Sequence, residues 1–144
     1  MSLDTFRAKA ADIFLTKLAA DTTGLSSLPV HIENQTFTPP VSGGYFYLYM
    51  VPYDGKRAAI GTTAKFQKIM EYIVVECFVP ENSGTKNLNA MMDFAKDAFE
   101  ESSFALVDGD TVFTYTAKPK VNGLQTGFYR GTVMVNAMRR TCKA

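Results

Sequence analysis

The side chain with the clearest chemical potential is His31, because it is the only histidine in the chain. A nucleophilic triad of the serine or cysteine type uses a histidine as its base, so any such site would have to include this residue. Its neighbours do not support a triad. Since His31 follows Pro29 in an extended stretch, we expect it to be a surface or edge-strand residue.

The carboxylates offer a second kind of chemistry, because a metal site or an acid–base pair needs at least two of them in one pocket. Asp93 and Asp97 are four residues apart and share a helical face, but the same helix also carries Lys86, Lys96 and Glu100, which favours a solvated surface. Glu76 lies within an apolar run, where it either faces water or pairs with a cation in an interface. No convergent acid pair is evident.

Glycine and cysteine spacing give no sign of a phosphate, redox or zinc site. Gly43, Gly44 and Gly61 lack the spacing of the common phosphate-binding loops and indicate turns. Cys77 and Cys142 form no CxxC pair, so buried or incidental thiols are favoured over a disulfide. We therefore expect no catalytic residues, no cofactor and no metal, and a protein that is not an enzyme.

Composition describes an ordinary globular domain. The chain has 144 residues, 47% of them hydrophobic and 20% charged. This predicts a single domain over residues 1–144 with a core that needs no disulfides or metal ions for its stability. A net charge of +1 argues against a dedicated nucleic-acid surface, although a local basic strip is compatible with it. Without a signal-like N-terminus or an apolar run of roughly 18 residues, we expect a cytoplasmic protein with no membrane segment.

Hydrophobic periodicity places helices and strands in alternating groups. Helical spacing predicts helices at Leu3–Leu18 and Thr85–Glu101, and the Asp54-Gly55 pair predicts a hairpin turn. Extended segments are predicted at Val30–Phe37, Tyr45–Val51, Arg57–Gly61, Met70–Val79, Phe104–Val107, Thr111–Ala117 and Phe128–Met138, with a stiff arm at Pro39-Pro40 and a break at Pro119–Gly127. This order predicts an α+β fold: a mostly antiparallel sheet with two main helices on one face.

Two groups of residues are candidates for a protein interface. Tyr45, Tyr47 and Tyr49 fall on one face of a strand and form, with Tyr53, an aromatic ridge of the kind enriched at interfaces, although core packing against a helix explains it equally well. A basic strip is the second candidate, with a solvated strand face as the alternative; its members are Arg130, Arg139, Arg140, Lys118 and Lys120.

Two longer motifs carry a family resemblance. The first is Pro-Val-His-Ile-Glu-Asn-Gln-Thr-Phe-Thr-Pro-Pro at Pro29–Pro40, and the second is Cys-Phe-Val-Pro-Glu-Asn-Ser-Gly-Thr at Cys77–Thr85 before a helix. With the N-terminal helix and the strand end at Ile60-Gly61, the chain resembles the tail terminator, or tail completion, family of long-tailed phages, the lambda-like minor tail protein U group. The resemblance covers essentially the whole chain.

The resemblance implies a structural function without chemistry. Members of this family assemble as a ring, commonly hexameric, on the head-proximal end of the tail tube, where they stop tube growth and present a surface to head-completion proteins. The implied partners are further copies of the chain, the tube protein and the head-completion proteins, and DNA passes through the lumen without sequence-specific binding. The implied location is the virion tail, after assembly in the host cytoplasm.

The Pro- and Gly-rich connections are the segments that we expect to make contacts between subunits or with the tube. They are the arm Phe37–Gly44, which contains Pro39 and Pro40, and the loops Val51–Lys56 and Lys118–Thr126. Deleting Pro39–Gly43 is expected to abolish ring or tube binding and to leave the fold intact. The alternatives are another head-to-tail joining or tube component and, from a different class, a small enzyme.

Overall fold

Two helices lie on one face of a sheet in the computed structural model, which describes residues 3–33, 35–40, 43–52, 58–59, 66–107, 109–125 and 127–142. The helices are α1 (Leu3–Ala19) and α2 (Lys86–Phe99), and a 3-10 turn follows α1 at Leu25–Ser27. The strands are β1 (Val30–Ile32), β2 (Tyr45–Pro52), β3 (Ala58–Ala59), β4 (Phe66–Pro80), β5 (Ser103–Ala105), β6 (Thr111–Gln125) and β7 (Phe128–Cys142). The predicted α+β class is confirmed.

The sheet has the strand order β1-β2-β4-β7-β6-β5, and β3 pairs with β4 off this path. Strand β1 runs parallel to β2, and the other pairs are antiparallel. The centre is the long β4–β7 pair, whose register runs from Phe66 opposite Cys142 to Pro80 opposite Phe128. This long pair fixes which side chains of each strand face the helices.

Strict alternation along the central strands builds the core. The side chains of Ile73, Val75, Cys77 and Val79 in β4 are buried towards the helices, as are those of Val133, Val135 and Ala137 in β7. Successive strand residues point to opposite faces, so the residues between them lie on the other face of the sheet. The free thiol of Cys77 is fully buried, as expected for a structural cysteine.

Helical spacing places the apolar faces of both helices on this core. Helix α1 contributes Phe6, Ala10, Phe14 and Leu18, each four residues after the last, and α2 contributes Leu88, Met91, Met92, Ala95, Ala98 and Phe99. The Phe14 ring joins the layers, because it meets Phe46 of β2 edge-on at 5.2 Å and lies parallel to Phe99 of α2 at 6.1 Å. Both helix predictions are confirmed.

One buried hydroxyl ties the end of α2 to the sheet. Thr114 of β6 donates its Oγ1 hydrogen to the carbonyl oxygen of Phe99, and Thr114 Oγ1 in turn accepts from the backbone N–H of Ser102 at 2.8 Å. The last carbonyls of a helix have no partner within the helix. Thr114 therefore satisfies polar backbone groups just where the chain leaves α2 and enters β5.

Several boundary predictions are wrong, including the end of the last strand, which is Cys142 and not Met138. Strand β1 ends at Ile32 instead of Phe37, because the chain turns there and Gln35 donates its N–H to the Ile32 carbonyl. Strand β4 begins at Phe66, earlier than the predicted Met70. Strand β6 continues to Gln125, so no break begins at Pro119. The predicted turn at Asp54-Gly55 lies outside the described residues, although Ala58–Ala59 from the predicted Arg57–Gly61 strand does pair with β4.

Proline is tolerated in β6 because of the edge on which it lies. The backbone N–H of Ala117 points away from β7 and donates to Oε2 of Glu100 at 2.9 Å. The register with β7 is regular from Ala117 to Val121, so Pro119 has the same orientation as Ala117. Its missing N–H falls on the outer edge of the strand, where no ladder bond to β7 is lost.

Candidate protein interface on the open face of the sheet

The face of the sheet opposite the two helices, here called the open face, is rich in aromatic side chains. In β2, Phe46, Leu48 and Met50 are buried in the helix-facing core, whereas Tyr45, Tyr47 and Tyr49 alternate with them. Core packing against a helix is therefore excluded as the explanation of the tyrosine row. Tyr53 lies outside the described residues.

Tyr45 is the centre of an aromatic cluster at one end of the open face. Its ring stacks on Phe78 of β4 at 4.4 Å and meets Phe128 of β7 edge-on at 5.3 Å. Phe78 lies directly opposite Tyr45 in the β2–β4 register. Stacked and edge-to-face rings at these distances attract each other beyond the gain from burial alone. Tyr45 is only 9% exposed as a result.

The arm that follows β1 folds onto this cluster. The imidazole of His31 stacks on Tyr47 at 4.3 Å and on Phe37 at 4.8 Å, and Phe37 also meets Tyr45 at 5.1 Å. His31 Nε2 lies 3.2 Å from the carbonyl oxygen of Gln35. The expectation that His31 lies on an edge strand is confirmed. Its ring holds the arm against the sheet.

An ion pair lies beside the aromatic cluster. Arg130 of β7 donates from Nη1 to Oε1 of Glu76 at 3.2 Å, and the Tyr49 hydroxyl donates to the same oxygen at 3.3 Å. The sequence leaves two alternatives for Glu76, a side chain facing water or one paired with a cation in an interface. The Glu76 side chain is only 12% exposed, and the cation that pairs with it belongs to the same chain. Burial, and then the charge of Glu76, raises the pKa of Tyr49 to about 12, so this hydroxyl stays protonated and able to donate well above neutral pH.

Two adjoining grooves run across the open face and share Glu76. The aromatic groove, of about 400 Å³, is lined by the arm and the ring cluster: His31, Phe37, Pro39, Tyr45, Tyr47, Glu76, Phe78, Phe128 and Arg130. The basic groove, of about 560 Å³, is lined by Tyr49, Glu76, Lys118, Pro119, Lys120, Asn122, Thr132 and Met134. Rings and arginine at the first groove are the residue types enriched at protein interfaces.

Five of the predicted interface residues come together and others do not. Phe37, Pro39, Tyr45, Tyr47 and Arg130 line the aromatic groove, and Tyr49 lines the basic groove. Pro40 is half-buried at the end of the described arm. Arg140 lies on the open face but ten residues along β7 from Arg130, in a separate depression with Phe113, Tyr115 and Met138.

The prediction of one basic strip is wrong for Arg139. Adjacent residues of a strand point to opposite faces. Met138 and Arg140 lie on the open face, so Arg139, which stands between them in the sequence, faces the helices. Its side chain is 1% exposed and pairs with Asp110. Sequence reasoning also missed Phe78 and Phe128. Counting by two from Glu76 places Phe78 on the open face.

The outer edge of β6 next to the basic groove is poorly suited to accept another strand. Glu100 already occupies the outward N–H of Ala117, and Pro119 offers none. Lysines at Lys118 and Lys120 flank this proline. Proline and lysine on an edge strand are known means of preventing edge-to-edge pairing. This part of the edge therefore offers few main-chain donors to a further strand.

Metal and membrane features are absent from the described segments. No group of three or more His, Cys, Asp or Glu side chains within them converges as metal ligands would. Neither α1 nor α2, the helices of the described chain, has the length and apolar character needed to cross a bilayer.

Comparisons with known proteins give the family and the fold of the chain. A family model described as "Phage tail terminator protein" matches residues 9–136. One solved chain superposes with a TM-score of 0.69 at 18% identity, covering 96% of both chains. A chain from the virion of a native gene transfer agent particle superposes with a TM-score of 0.61 at 18% identity, covering 97% of this chain and 99% of its own. At these identities, the structures establish a shared fold. No curated protein matches the sequence.

Proposed function

The chain belongs to the phage tail terminator protein family, and from that premise we propose that it caps the head-proximal end of the tail tube as a ring. The cap stops tube polymerisation and forms the surface on which the head is joined. The observation that carries the proposal is the family match over residues 9–136. At the coarser level, the protein is a structural component of phage tails.

The open face has features that support the capping proposal. A terminator must bind the last ring of the tube and must not offer the same kind of binding surface again. The aromatic groove combines stacked rings with Arg130 and the arm residues Phe37 and Pro39, and buried aromatic and arginine side chains are those that most often dominate binding energy. The edge of β6 is blocked by Pro119, so the chain does not template a further strand there.

The proposed partners follow from the capping role. The chain binds further copies of itself in a ring, taken as a hexamer from the family resemblance, as well as the tube protein on one side and head-completion proteins on the other. DNA passes through the lumen without sequence-specific binding. The protein is assembled in the host cytoplasm and resides in the virion. Its role requires binding surfaces only, so we propose no enzymatic activity.

The proposal is tested by assembling the cognate tail tubes with and without the purified chain and imaging them by negative-stain electron microscopy. Capping predicts tubes of defined length with extra density at one end. Tubes of unlimited length without bound density would overturn the proposal. The chain incubated alone is the control: extended tubes formed from it would identify a tube component, and a chain that binds head-completion proteins but not tubes would identify a neck component.

A further inference from the structure

A pair of exposed aspartates and a pair of exposed lysines lie on opposite sides of the protein. We propose that neighbouring copies in the ring contact each other head to tail, with the outer stripe of α2 in one copy lying against the basic groove of the next. The outer stripe consists of Ala90, Asp93 and Asp97. This inference rests on the proposed ring and adds which surfaces form it and which partner they select, namely a second copy of this chain.

The outer stripe carries two aspartates that are not paired within the described chain, with the exposed Lys86 two turns away at the start of the same helix face. Asp93 and Asp97 are exposed and lie one helical turn apart, and neither forms an ion pair with any residue that the structure describes. Their helix buries its opposite side, with Leu88, Met91 and Ala95 at most 1% exposed. The stripe therefore points away from the sheet. Ala90, also exposed, adds a small side chain that permits close approach.

The basic groove is complementary in charge. Lys118 and Lys120 are exposed, and neither has an ion-pair partner in the described part of the chain. Glu76, the one carboxylate among the described residues that line the groove, is already engaged by Arg130. An apolar floor is available as well, because Met134 lines the groove and is 37% exposed. The groove thus offers two free cations beside apolar surface.

The spacing of the charges matches. Residues four apart on a helix are separated by about 6 Å along its axis, which is the separation of Asp93 and Asp97. Residues two apart on a strand are separated by about 6.6 Å, which is the separation of Lys118 and Lys120. A helix laid along β6 can therefore pair both acids with both lysines at once.

The placement of the two surfaces sets the symmetry. Helix α2 packs on the helix-facing side of the sheet, whereas the basic groove lies on the open face. A copy bound through its stripe still has its own groove free on the other side. Contacts between two different surfaces repeat head to tail and give a ring when the rotation closes. Such a contact is what a ring of identical subunits requires.

Charge reversal tests the contact. The variant Lys118→Glu/Lys120→Glu and the variant Asp93→Lys/Asp97→Lys each place like charges against each other, and self-association is expected to weaken by about 100-fold or more. An equal mixture of the two variants restores opposite charges at every contact if the variants alternate, and the chain carrying all four substitutions restores them by itself. The control, Asp12→Lys/Glu81→Lys, reverses two exposed acids outside both surfaces.

Self-association is measured by analytical ultracentrifugation and native mass spectrometry, alone and in the presence of tail tubes, together with tube length. Weakened single-surface variants with recovery in the mixture and in the four-substitution chain support the contact. Variants that associate like the wild type, or a wild type that stays monomeric alone and on tubes, overturn it. Recovery of rings with tubes left uncapped throughout upholds the contact and overturns capping instead. If the variants associate like the wild type and the tubes are still capped, the proposed contact is overturned and capping is upheld.

Discussion

Arg139 donates from Nε to Oδ2 of Asp110 across 2.8 Å, inside the fold, where the two side chains are only 1% and 9% exposed. The pair joins β7 to the residue that precedes β6. Burying an arginine is tolerable only when its charge is compensated and its donors are satisfied. Arg139 therefore contributes to the fold, and among the described residues Arg130 and Arg140 are the arginines of the open face.

Replacing Asp110 is expected to destabilise the fold strongly. Asp110→Ala removes the carboxylate that faces Arg139 and leaves a buried charge with less compensation, at a cost of about 3–5 kcal/mol in the free energy of unfolding. Urea denaturation followed by circular dichroism measures the change. The control is Asp12→Ala, which removes an exposed aspartate; similar losses in the two variants would contradict the structural role of the pair.

Two glycines permit close approach and are expected to differ in their tolerance of alanine. A Cβ on Gly44 would collide with the backbone carbonyl oxygen of Phe78, whereas a Cβ on Gly131 would collide with Sδ at the flexible end of Met92. We expect Gly44→Ala to cost about 1–3 kcal/mol and Gly131→Ala to cost less, because a methionine side chain can move and a central strand cannot. Urea unfolding of both variants gives the comparison. A larger loss of stability for Gly131→Ala than for Gly44→Ala would show that the β4 backbone shifts more easily than the Met92 side chain.

Glu71 is expected to make stability depend on pH. It is 4% exposed on the helix side of β4, and burial raises the pKa of its carboxyl above 4.5, an effect that Arg139 and Arg7 partly oppose. The folded state therefore keeps a proton that the unfolded chain releases. Its contribution to stability is complete below about pH 4.5 and is lost as the pH rises through the folded pKa.

The substitution Glu71→Gln removes this titration. The variant is expected to gain stability relative to the wild type as the pH rises from about 4.5 towards 7. Urea unfolding at several pH values measures the difference. Glu81→Gln, at an exposed glutamate, is the matched control and should follow the wild type. A Glu71→Gln variant that tracks the wild type at every pH would show that the carboxyl titrates alike in both states.

The arm is expected to matter for binding more than for folding. Phe37→Ala removes the ring that stacks on His31 and contacts Tyr45 at a tilt, and such ring pairs contribute about 0.5–1.5 kcal/mol each beyond burial. We expect a small loss of stability and at least a tenfold loss of tube affinity, measured by co-sedimentation with tubes. Leu15→Ala, at a 44% exposed residue of α1, should leave affinity unchanged. Equal affinity of Phe37→Ala and the wild type would remove the arm from the interface.

Sequence periodicity was sufficient for much of the fold. The helices and the alternation of Tyr45 to Met50 follow from repeats that burial on one face imposes. The continuation of β6 through Pro119 did not, because whether a proline breaks a strand depends on which edge it faces, and that is set by the long-range register with β7. The same limit hid the burial of Arg139, whose partner Asp110 is distant in sequence.

Only part of the candidate interface could be predicted from the sequence. The tyrosine row could be found by counting in twos, but its partners Phe78 and Phe128 lie on other strands, and the stacking of Phe37 on His31 depends on a turn after Ile32 that no local pattern marks. Pairing between strands assembles the aromatic groove, so the residues that line it become neighbours only in the folded sheet.

The most direct test of capping is an elongation measurement on preformed tail tubes. Tubes are incubated with the chain and then offered tube protein carrying a fluorescent label, and the labelled length added at each end is measured by microscopy. Capping predicts that one end gains no labelled segment, whereas tubes without the chain continue to grow at that end. Labelled segments of equal length with and without the chain would contradict the account.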